Sequence, residues 1–467
     1  MKKLLFISIL VFPLSLMAQN ESAVATENSY LINPSDYTVV RSWKDGYSLS
    51  SHTAQSGTCF VKTDFGMVNA TTGSAAYYSA MIADSIPNLN VLDMRIVDDY
   101  AFICGSVWDS IDSTTYITHG FLGYFNIRDM YLNNTLNIKL HVYDSIREFG
   151  RMLAYKDMTD YKVVALGDYR EYNTNDSVFF YPTCLVEDYI MTSVPSILIH
   201  KIQPFSPSGA PREVMMDLVL AGDYVVLVGK IDFPFPPLYS NYSVCIRLAK
   251  KDDVINDPMI DYHYVYNTVD PEVNHGIRAV ALDENNIAVS YVYPNYAADA
   301  FYTRLRVIEI PSLKMLSSQE FKTYTKDEPI EMAYDPQNNI LTLLHTMPFP
   351  TLFSYYKSYF VQIKPYSTVP YSAPVLFPEK GLYSSLDMFN SEYYVSTGQN
   401  YWYYQHTNAP QPNENLCPLV KEIEIAPIPT LYHKPIYIPD IITTTYHDTT
   451  RNVIIKPTNI IHLCDDK

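Results

Sequence analysis

The chain has 467 residues, with 33 Lys and Arg against 50 Asp and Glu, so its formal net charge at neutral pH is −17. An acidic chain without a dense basic stretch is a poor ligand for nucleic acids and anionic membranes, and the composition argues against both as partners. Tyrosine is unusually common, at 42 residues, while glycine numbers only 15, and tyrosine favours strands.

The first 18 residues are typical of a secretory signal peptide. Lys2 and Lys3 precede an apolar run from Leu4 to Met17, and the small residue Ala18 follows it. The run is too short to span a membrane, and no cysteine lies near the cleavage point to carry a lipid. The start resembles Gram-negative bacterial export signals, so we expect the periplasm, the outer cell surface or the medium. No later apolar run is long enough for a transmembrane segment.

A tight turn that leads into an apolar strand recurs about every sixty residues. The copies begin, in chain order, at Asp45, Asp99, Asp160, Asp223, Asn285, Asn338 and Glu392. Asp, Asn and Gly suit tight turns because they tolerate left-handed backbone angles, so each copy predicts a hairpin. Two further β-rich runs follow in each unit; in the fifth they cover 302–310 and 315–324. Every unit therefore predicts four antiparallel strands, A to D.

Four-stranded units at a fixed period, without long helical patterns between them, are typical of a β-propeller. The chain resembles secreted bacterial β-propeller-fold proteins over residues 36–438, which implies an all-β ring of seven blades. Six blades with an N-terminal extension is the alternative, because the first unit matches least well. No Trp-Asp dipeptide, kelch-type double glycine or sialidase-type Ser-x-Asp-x-Gly box is present, so the resemblance implies an architecture and no activity.

The two ends lie outside this repeat. Residues 19–35 form a polar N-terminal extension that can supply a closing strand to the last blade. Residues 439–467 form a C-terminal tail in which Thr and Ile alternate, and this pattern predicts an added outer strand or packing beneath the ring.

The cysteines and histidines predict neither a metal site nor a cofactor. Cys59, Cys184, Cys245 and Cys417 fall near the start of strand C in different blades, too far apart to pair, so we expect small buried side chains. Only Cys417 and Cys464 make a plausible disulfide. The eleven histidines lack the spacing of zinc ligands, and no nucleophile, phosphate-binding or calcium motif occurs.

Strand A of a propeller lines the central channel, and its charged residues are candidate channel residues. They are Arg41, Asp93, Arg95, Arg151, Asp217, Arg278, Glu331 and Asp387. Both signs occur, so we expect mutual ion pairs in preference to a ligand site. Their distances from the turns differ, which predicts that they do not form one level.

The loops between strands B and C are long and aromatic, whereas the A to B turns are short and plain. Stiff aromatic side chains in loops suit stacking on sugars or anchoring of a protein. The candidate ligand-binding residues are Trp402, Tyr401, Tyr403, Tyr404, Trp108, Phe233, Phe235, Tyr239 and Tyr356. The sequence thus favours an exported protein that binds a protein or glycan partner, unless these aromatic residues merely cover the blades. The alternative is a propeller hydrolase or lyase acting on polysaccharide or peptide, with Asp217, Glu331 and Asp387 as general acid and base.

Overall fold

The structure is a computed structural model of the chain. It describes residues 23–27, 37–44, 47–56, 60–69, 78–81, 89–110, 116–133, 135–172, 178–191, 197–201, 212–233, 241–252, 262–265, 275–295, 300–323, 328–348, 356–366, 375–376, 383–389, 392–397, 400–405, 444–452, 454–455 and 460–462. The predicted signal peptide and the turn at Asp45 lie outside these residues.

The described residues are almost entirely strands, which form seven antiparallel sheets. Strand β1 (Ala23–Glu27) precedes the first sheet. The first sheet contains β2 (Tyr37–Ser42), β3 (Tyr47–Ser56), β4 (Phe60–Asn69) and β5 (Tyr78–Met81). The second contains β6 (Leu89–Val97), β7 (Tyr100–Ser110), β8 (Tyr116–Asn126), helix α1 (Ile127–Asn133) and β9 (Thr135–Tyr143). The third contains β10 (Ile146–Asp157), β11 (Asp160–Tyr172), β12 (Val178–Asp188) and β13 (Ile197–Lys201).

The remaining sheets follow the same order along the chain. The fourth contains β14 (Arg212–Ala221), β15 (Tyr224–Phe233), β16 (Asn241–Lys250) and β17 (Tyr262–Val265). The fifth contains β18 (His275–Ala281), β19 (Asn286–Asn295), β20 (Ala300–Glu309) and β21 (Met315–Thr323). The sixth contains β22 (Glu328–Asp335), β23 (Ile340–Pro348), β24 (Tyr356–Ile363) and β25 (Val375–Leu376). The seventh contains β26 (Tyr383–Phe389), β27 (Glu392–Thr397) and β28 (Asn400–Gln405). The tail contributes β29 (Thr444–Asn452), β30 (Ile454–Ile455) and β31 (Ile460–His462).

The prediction of an all-β chain built from antiparallel sheets is confirmed. The hairpins lie where the repeated turns predict them: Val97 pairs with Tyr100 around Asp99, and Ala221 pairs with Tyr224 around Asp223. In the fifth sheet, β20 and β21 agree with the two predicted runs to within two residues.

Apolar runs are nearly continuous in the second strands because both faces of these strands are covered. In β15, Val225 and Leu227 join a cluster with residues of the third sheet, while Val226 and Val228 join a cluster with residues of the fifth. Alternate side chains of a strand point to opposite faces. Each of these sheets is therefore packed on both sides, and the core is divided into layers between neighbouring sheets.

The first strands of the sheets follow one another in a closed series of contacts. β2 contacts β6, and the series continues through β10, β14, β18 and β22 to β26, which contacts β2 again. These first strands, called here the inner strands, therefore surround a common centre.

Strands from both ends of the chain complete the sheets at the place where the series closes. β1 pairs with β28, so the N-terminal segment adds the fourth strand of the seventh sheet, as the sequence suggested. The tail adds an outer strand to three sheets: β29 pairs with β9, β30 with β5 and β31 with β1. Among the described residues, no helix is long and apolar enough to cross a membrane.

Candidate functional site

A β-bulge interrupts the inner strand of six sheets. In β6 the register shifts between Val91 and Asp93, and in β14 it shifts between Met215 and Asp217. Such an extra residue bends the strand and redirects the side chain that follows it. The residues that follow the bulge, from the second sheet to the seventh, are Asp93, Arg151, Asp217, Arg278, Glu331 and Ser385.

Glycine faces the bulge in the second, third and fourth sheets, at Gly105, Gly167 and Gly229. A Cβ atom on Gly229 would lie 2.2 Å from the carbonyl oxygen of Val214. Only glycine permits so close an approach of the two backbones. The glycine that ends the repeated motif in these sheets is therefore there for packing and not for chemistry.

The side chains after the bulges alternate in charge around the centre. Asp93, Arg151, Asp217, Arg278 and Glu331 run negative, positive, negative, positive and negative, in five successive sheets. The prediction that these residues do not share a level is wrong for these five, because the bulge sets their level. The distance to the turn varies independently: β10 continues for six residues after Arg151, whereas β6 continues for four after Asp93.

Arg41, Arg95 and Asp387 form a second row, nearer the turns of the first, second and seventh sheets. Arg95 lies two residues beyond Asp93, and Asp387 lies two residues beyond Ser385. The backbone amide of Val40 donates to Ser385 Oγ, and that of Ser42 donates to Asp387 Oδ2. Arg41, between these two amides, therefore belongs to the row of Asp387.

An ion-pair network links inner strands from sheets that are not neighbours. Arg151 Nη1 of the third sheet donates to Glu331 Oε2 of the sixth at 3.1 Å. Arg41 Nη2 lies 2.7 Å from Asp93 Oδ1 and 3.7 Å from Glu331 Oε1. Arg95 Nη2 completes the network 3.3 Å from Asp93 Oδ2. Because all of these side chains except Arg95 are buried, the network fills the centre between the inner strands.

The arginines keep the two central carboxylates ionised. Burial raises the pKa of Glu331, but the charges of Arg151, Arg41 and Arg95 outweigh it, so this pKa lies below its ordinary value. Burial likewise opposes ionisation of Asp93, and Arg95 with Arg41 more than compensates, which lowers its pKa. Both groups therefore carry charge in the folded protein.

Three aspartates of these rows also join one sheet to the next. Asp93 Oδ2 accepts the backbone N–H of Met152, and Asp217 Oδ2 accepts that of Ala279, each at 3.0 Å. Asp387 Oδ2 accepts both the amide and the hydroxyl of Ser42, at 2.6 and 2.7 Å. These carboxylates supply acceptors for backbone donors of the adjacent inner strand, which a side-by-side contact of sheets would otherwise leave without partners.

The structure places several predicted loop aromatics in strands, which corrects the sequence interpretation. Tyr401, Trp402, Tyr403 and Tyr404 lie within β28, paired on one side with β27 and on the other with β1. Tyr and Trp favour strands, and the strand partner comes from the distant N terminus, which the local pattern could not show. Phe233 ends β15 and Tyr356 begins β24. Phe235 and Tyr239 lie outside the described residues.

Trp108 lies in β7, two residues before the strand ends, and not in the loop as predicted. Its indole is half-buried, and Nε1 donates to Ser106 Oγ at 3.1 Å, which fixes the orientation of the ring. Beside it in sequence, Asp109 Oδ2 lies 3.5 Å from His119 Nε2, and Asp144 Oδ1 lies 3.7 Å from His119 Nδ1. The imidazole thus ties the end of β7 to the turn before β10, at the end of the second sheet where its B to C connection leaves.

The opposite end of the sheets is not plain, contrary to the sequence interpretation. Tyr100 and Tyr161 lie 5.4 Å apart between ring centroids, and Lys156 lies over the Tyr161 ring. The Tyr161 hydroxyl donates to Asp98 Oδ2, and this bond raises the pKa of Tyr161 to about 12. Tyrosine directly follows the turn in the second, third and fourth sheets, and that recurrence is the signal that could have revealed this cluster.

The described cysteines are buried, as predicted for Cys184 and Cys245. These two lie in the middle of β12 and β16, opposite Gly167 and Gly229, and not near the strand starts. Cys59, Cys417 and Cys464 lie outside the described residues. In the part of the chain that the structure describes, no group of three or more His, Cys, Asp or Glu side chains is arranged to hold a metal ion.

Neither the family models nor the curated proteins contain a match to this chain. Among solved structures, it is similar to three β-propeller-like proteins. The Trypanosoma rangeli sialidase in complex with the inhibitor DANA is 9% identical, with 79% of this chain and 54% of the sialidase covered and a TM-score of 0.32. The chain thus spans about half the length of that sialidase.

The other two proteins are similarly distant. A mutant of the Synechocystis apocarotenoid oxygenase is 8% identical, with 77% of this chain and 94% of the oxygenase covered and a TM-score of 0.32. Extracellular domains 1–2 of Drosophila Semaphorin 1b are 8% identical, with 84% and 88% covered and a TM-score of 0.36. Likenesses this weak say nothing about what the present chain binds or catalyses.

Proposed function

We propose that the chain is an exported binding protein on a seven-bladed β-propeller, which holds a protein or glycan partner on the face where the B to C connections emerge. The blade number is supported by the seven sheets and by the closed series of contacts between inner strands. The strand β1 in the seventh sheet is the kind of closure that joins the two ends of a ring.

Trp108 is the observation that carries the binding role. Its ring is large, half-exposed and held in place by Ser106, so a ligand meets it with little further ordering. The exposed carboxylates of Asp109 and Asp144, at the same end of the second sheet, can accept hydrogen bonds from hydroxyl groups. An aromatic ring near such acceptors suits a sugar, so a glycan is the favoured partner.

The alternative of a hydrolase or lyase receives less support from the same structure. Glu331 is bonded to Arg151, Asp217 accepts two backbone amides, and Asp387 accepts the amide and hydroxyl of Ser42. A general acid needs a raised pKa, and the pKa of Glu331 is lowered. The three candidate acids therefore contribute to holding the inner strands together.

A glycan array probed with the chain from residue 19 tests the proposal, followed by titration calorimetry on the best ligand. Trp108→Ala should weaken binding about tenfold or more, as for other aromatic anchors. Tyr100→Ala, which removes a half-buried ring at the other end of the same sheet, is the matched control. Equal affinity of Trp108→Ala and the parent would refute the site, and turnover of a glycan would favour the enzyme.

Export is tested separately by expressing the complete chain in a Gram-negative host and fractionating the cells. The expected result is a product outside the cytoplasm that starts near residue 19. Retention of Met1 in a cytoplasmic product would contradict this part of the proposal.

A further inference from the structure

The two ends of the chain meet at one seam. Neighbouring sheets follow one another directly along the chain everywhere except between the seventh and the first. Here β26 contacts β2, and β1 enters the seventh sheet from the N-terminal side. The closed series of inner strands therefore depends, at this place, on contacts that no short connection enforces.

The C-terminal tail crosses this seam along the outer edges of the sheets. β29 lies on the second sheet over nine paired residues, β30 on the first sheet, and β31 on the seventh. The tail thus runs backwards around the rim, from sheet two through sheet one to sheet seven.

The links between the tail strands are short. One residue separates Asn452 from Ile454, and four separate Ile455 from Ile460. At about 3.3–3.6 Å per residue, these links reach at most roughly 7 Å and 18 Å. The three outer edges can therefore not move apart by more than a few ångströms without release of at least one tail strand.

The tail also converts the closing strand from an edge strand into an interior one. Val24, Ala25 and Thr26 of β1 pair with β31, while the same residues pair with β28 on the other side. A short strand at an edge frays readily, whereas one with both ladders formed opens only when a larger unit opens.

We propose that residues 444–462 are a clasp, which locks the ring across its seam and holds the N-terminal closing strand in place. The clasp makes the order of β1 depend on the tail. Release of the tail loosens β1 first and the rest of the seventh sheet next, while the third to sixth sheets keep their stability.

Hydrogen exchange followed by mass spectrometry tests the clasp on the chain from residue 19. Deletion of residues 444–467 should raise amide exchange in 23–27 and 400–405 at least tenfold and leave β15 and β19 unchanged. If truncation prevents folding, Ile461→Pro in the complete tail tests the same contact, because proline removes a ladder donor and does not fit an inner ladder. Lys456→Pro, in the link between β30 and β31, is its control. Unchanged exchange of β1 in both the truncated and the Ile461→Pro protein would overturn the proposal.

A cross-link provides an independent measurement of the register. Ala25 lies opposite Ile461, so the pair Ala25→Cys and Ile461→Cys should form a disulfide within one molecule under mild oxidation. The shifted pair Ala25→Cys and Lys456→Cys should not. Cross-linking of the shifted pair alone would place the tail elsewhere and reject the clasp.

Discussion

Arg151 and Glu331 are 180 residues apart in sequence, yet their side chains meet at 3.1 Å, from the third and the sixth sheet. The pair joins inner strands that two other sheets separate. It is part of a buried network in which Arg41 and Asp93 take part, so no member can be removed without leaving a charge behind.

Removal of one partner of this pair should be strongly destabilising. Arg151→Met leaves the buried carboxylate of Glu331 with less compensation, and we expect a loss of about 3–5 kcal/mol in the free energy of unfolding by urea titration. The double variant Arg151→Met with Glu331→Met should recover most of that loss. Lys251→Ala, which breaks a solvent-exposed pair with Asp223, is the control and should have far less effect. Additive losses in the double variant would show that the pair is not coupled.

Acidification should destabilise the protein through His345. This histidine occupies, in β23, the place opposite the bulge that glycine occupies in other sheets, and burial lowers its pKa to about 3. An unfolded histidine titrates near 6.5, so below that pH the unfolded state binds a proton that the folded state refuses. Stability should fall by up to about 1.4 kcal/mol per pH unit between these two values. His345→Gln should lose this slope in unfolding titrations from pH 7 to pH 4; an equal slope in both proteins would contradict the assignment.

The glycine opposite the bulge should not tolerate a side chain. In Gly229→Ala the new Cβ would lie 2.2 Å from a backbone oxygen, and we expect a loss of about 1–3 kcal/mol from overpacking. Gly150→Ala is the matched control, since a Cβ there meets nothing within 4 Å. Thermal unfolding of both variants measures the difference, and equal melting temperatures would mean that the strands are less close than the structure shows.

One substitution should stabilise the chain. Met158 is 93% exposed and has a φ of 54°, a backbone conformation that costs a side-chain-bearing residue about 1–2 kcal/mol. Met158→Gly should remove that cost, offset by the extra entropy of glycine in the unfolded state, for a net gain of up to about 1 kcal/mol. Thr159→Gly in the same turn should lower the melting temperature instead. A lower melting temperature for Met158→Gly would show that the turn relaxes in solution.

The sequence predicts most of the local structure because turns are local. Asp99 and Asp223 lie in the hairpins that they predict, since the chemistry of a two-residue turn depends only on neighbouring residues. β20 and β21 could likewise be predicted almost to their ends.

The misplaced features all depend on distant residues. The aromatic run in β28 reads as a loop because its partner β1 lies at the other end of the chain. The level shared by Asp93 and Arg151 is set by bulges, which leave their distances to the turns unequal. The contact of Arg151 with Glu331 requires the closed series of sheets, and no spacing within a single repeat could indicate it.

The position of β1 also determines when the protein can become complete. During synthesis its five residues emerge long before β28 and β31, the two strands that flank it. The early strand must remain unpaired in that sheet until translation has reached residue 462. The third to sixth sheets need neither terminus, so they can assemble while the chain is still growing, and the seventh is necessarily the last.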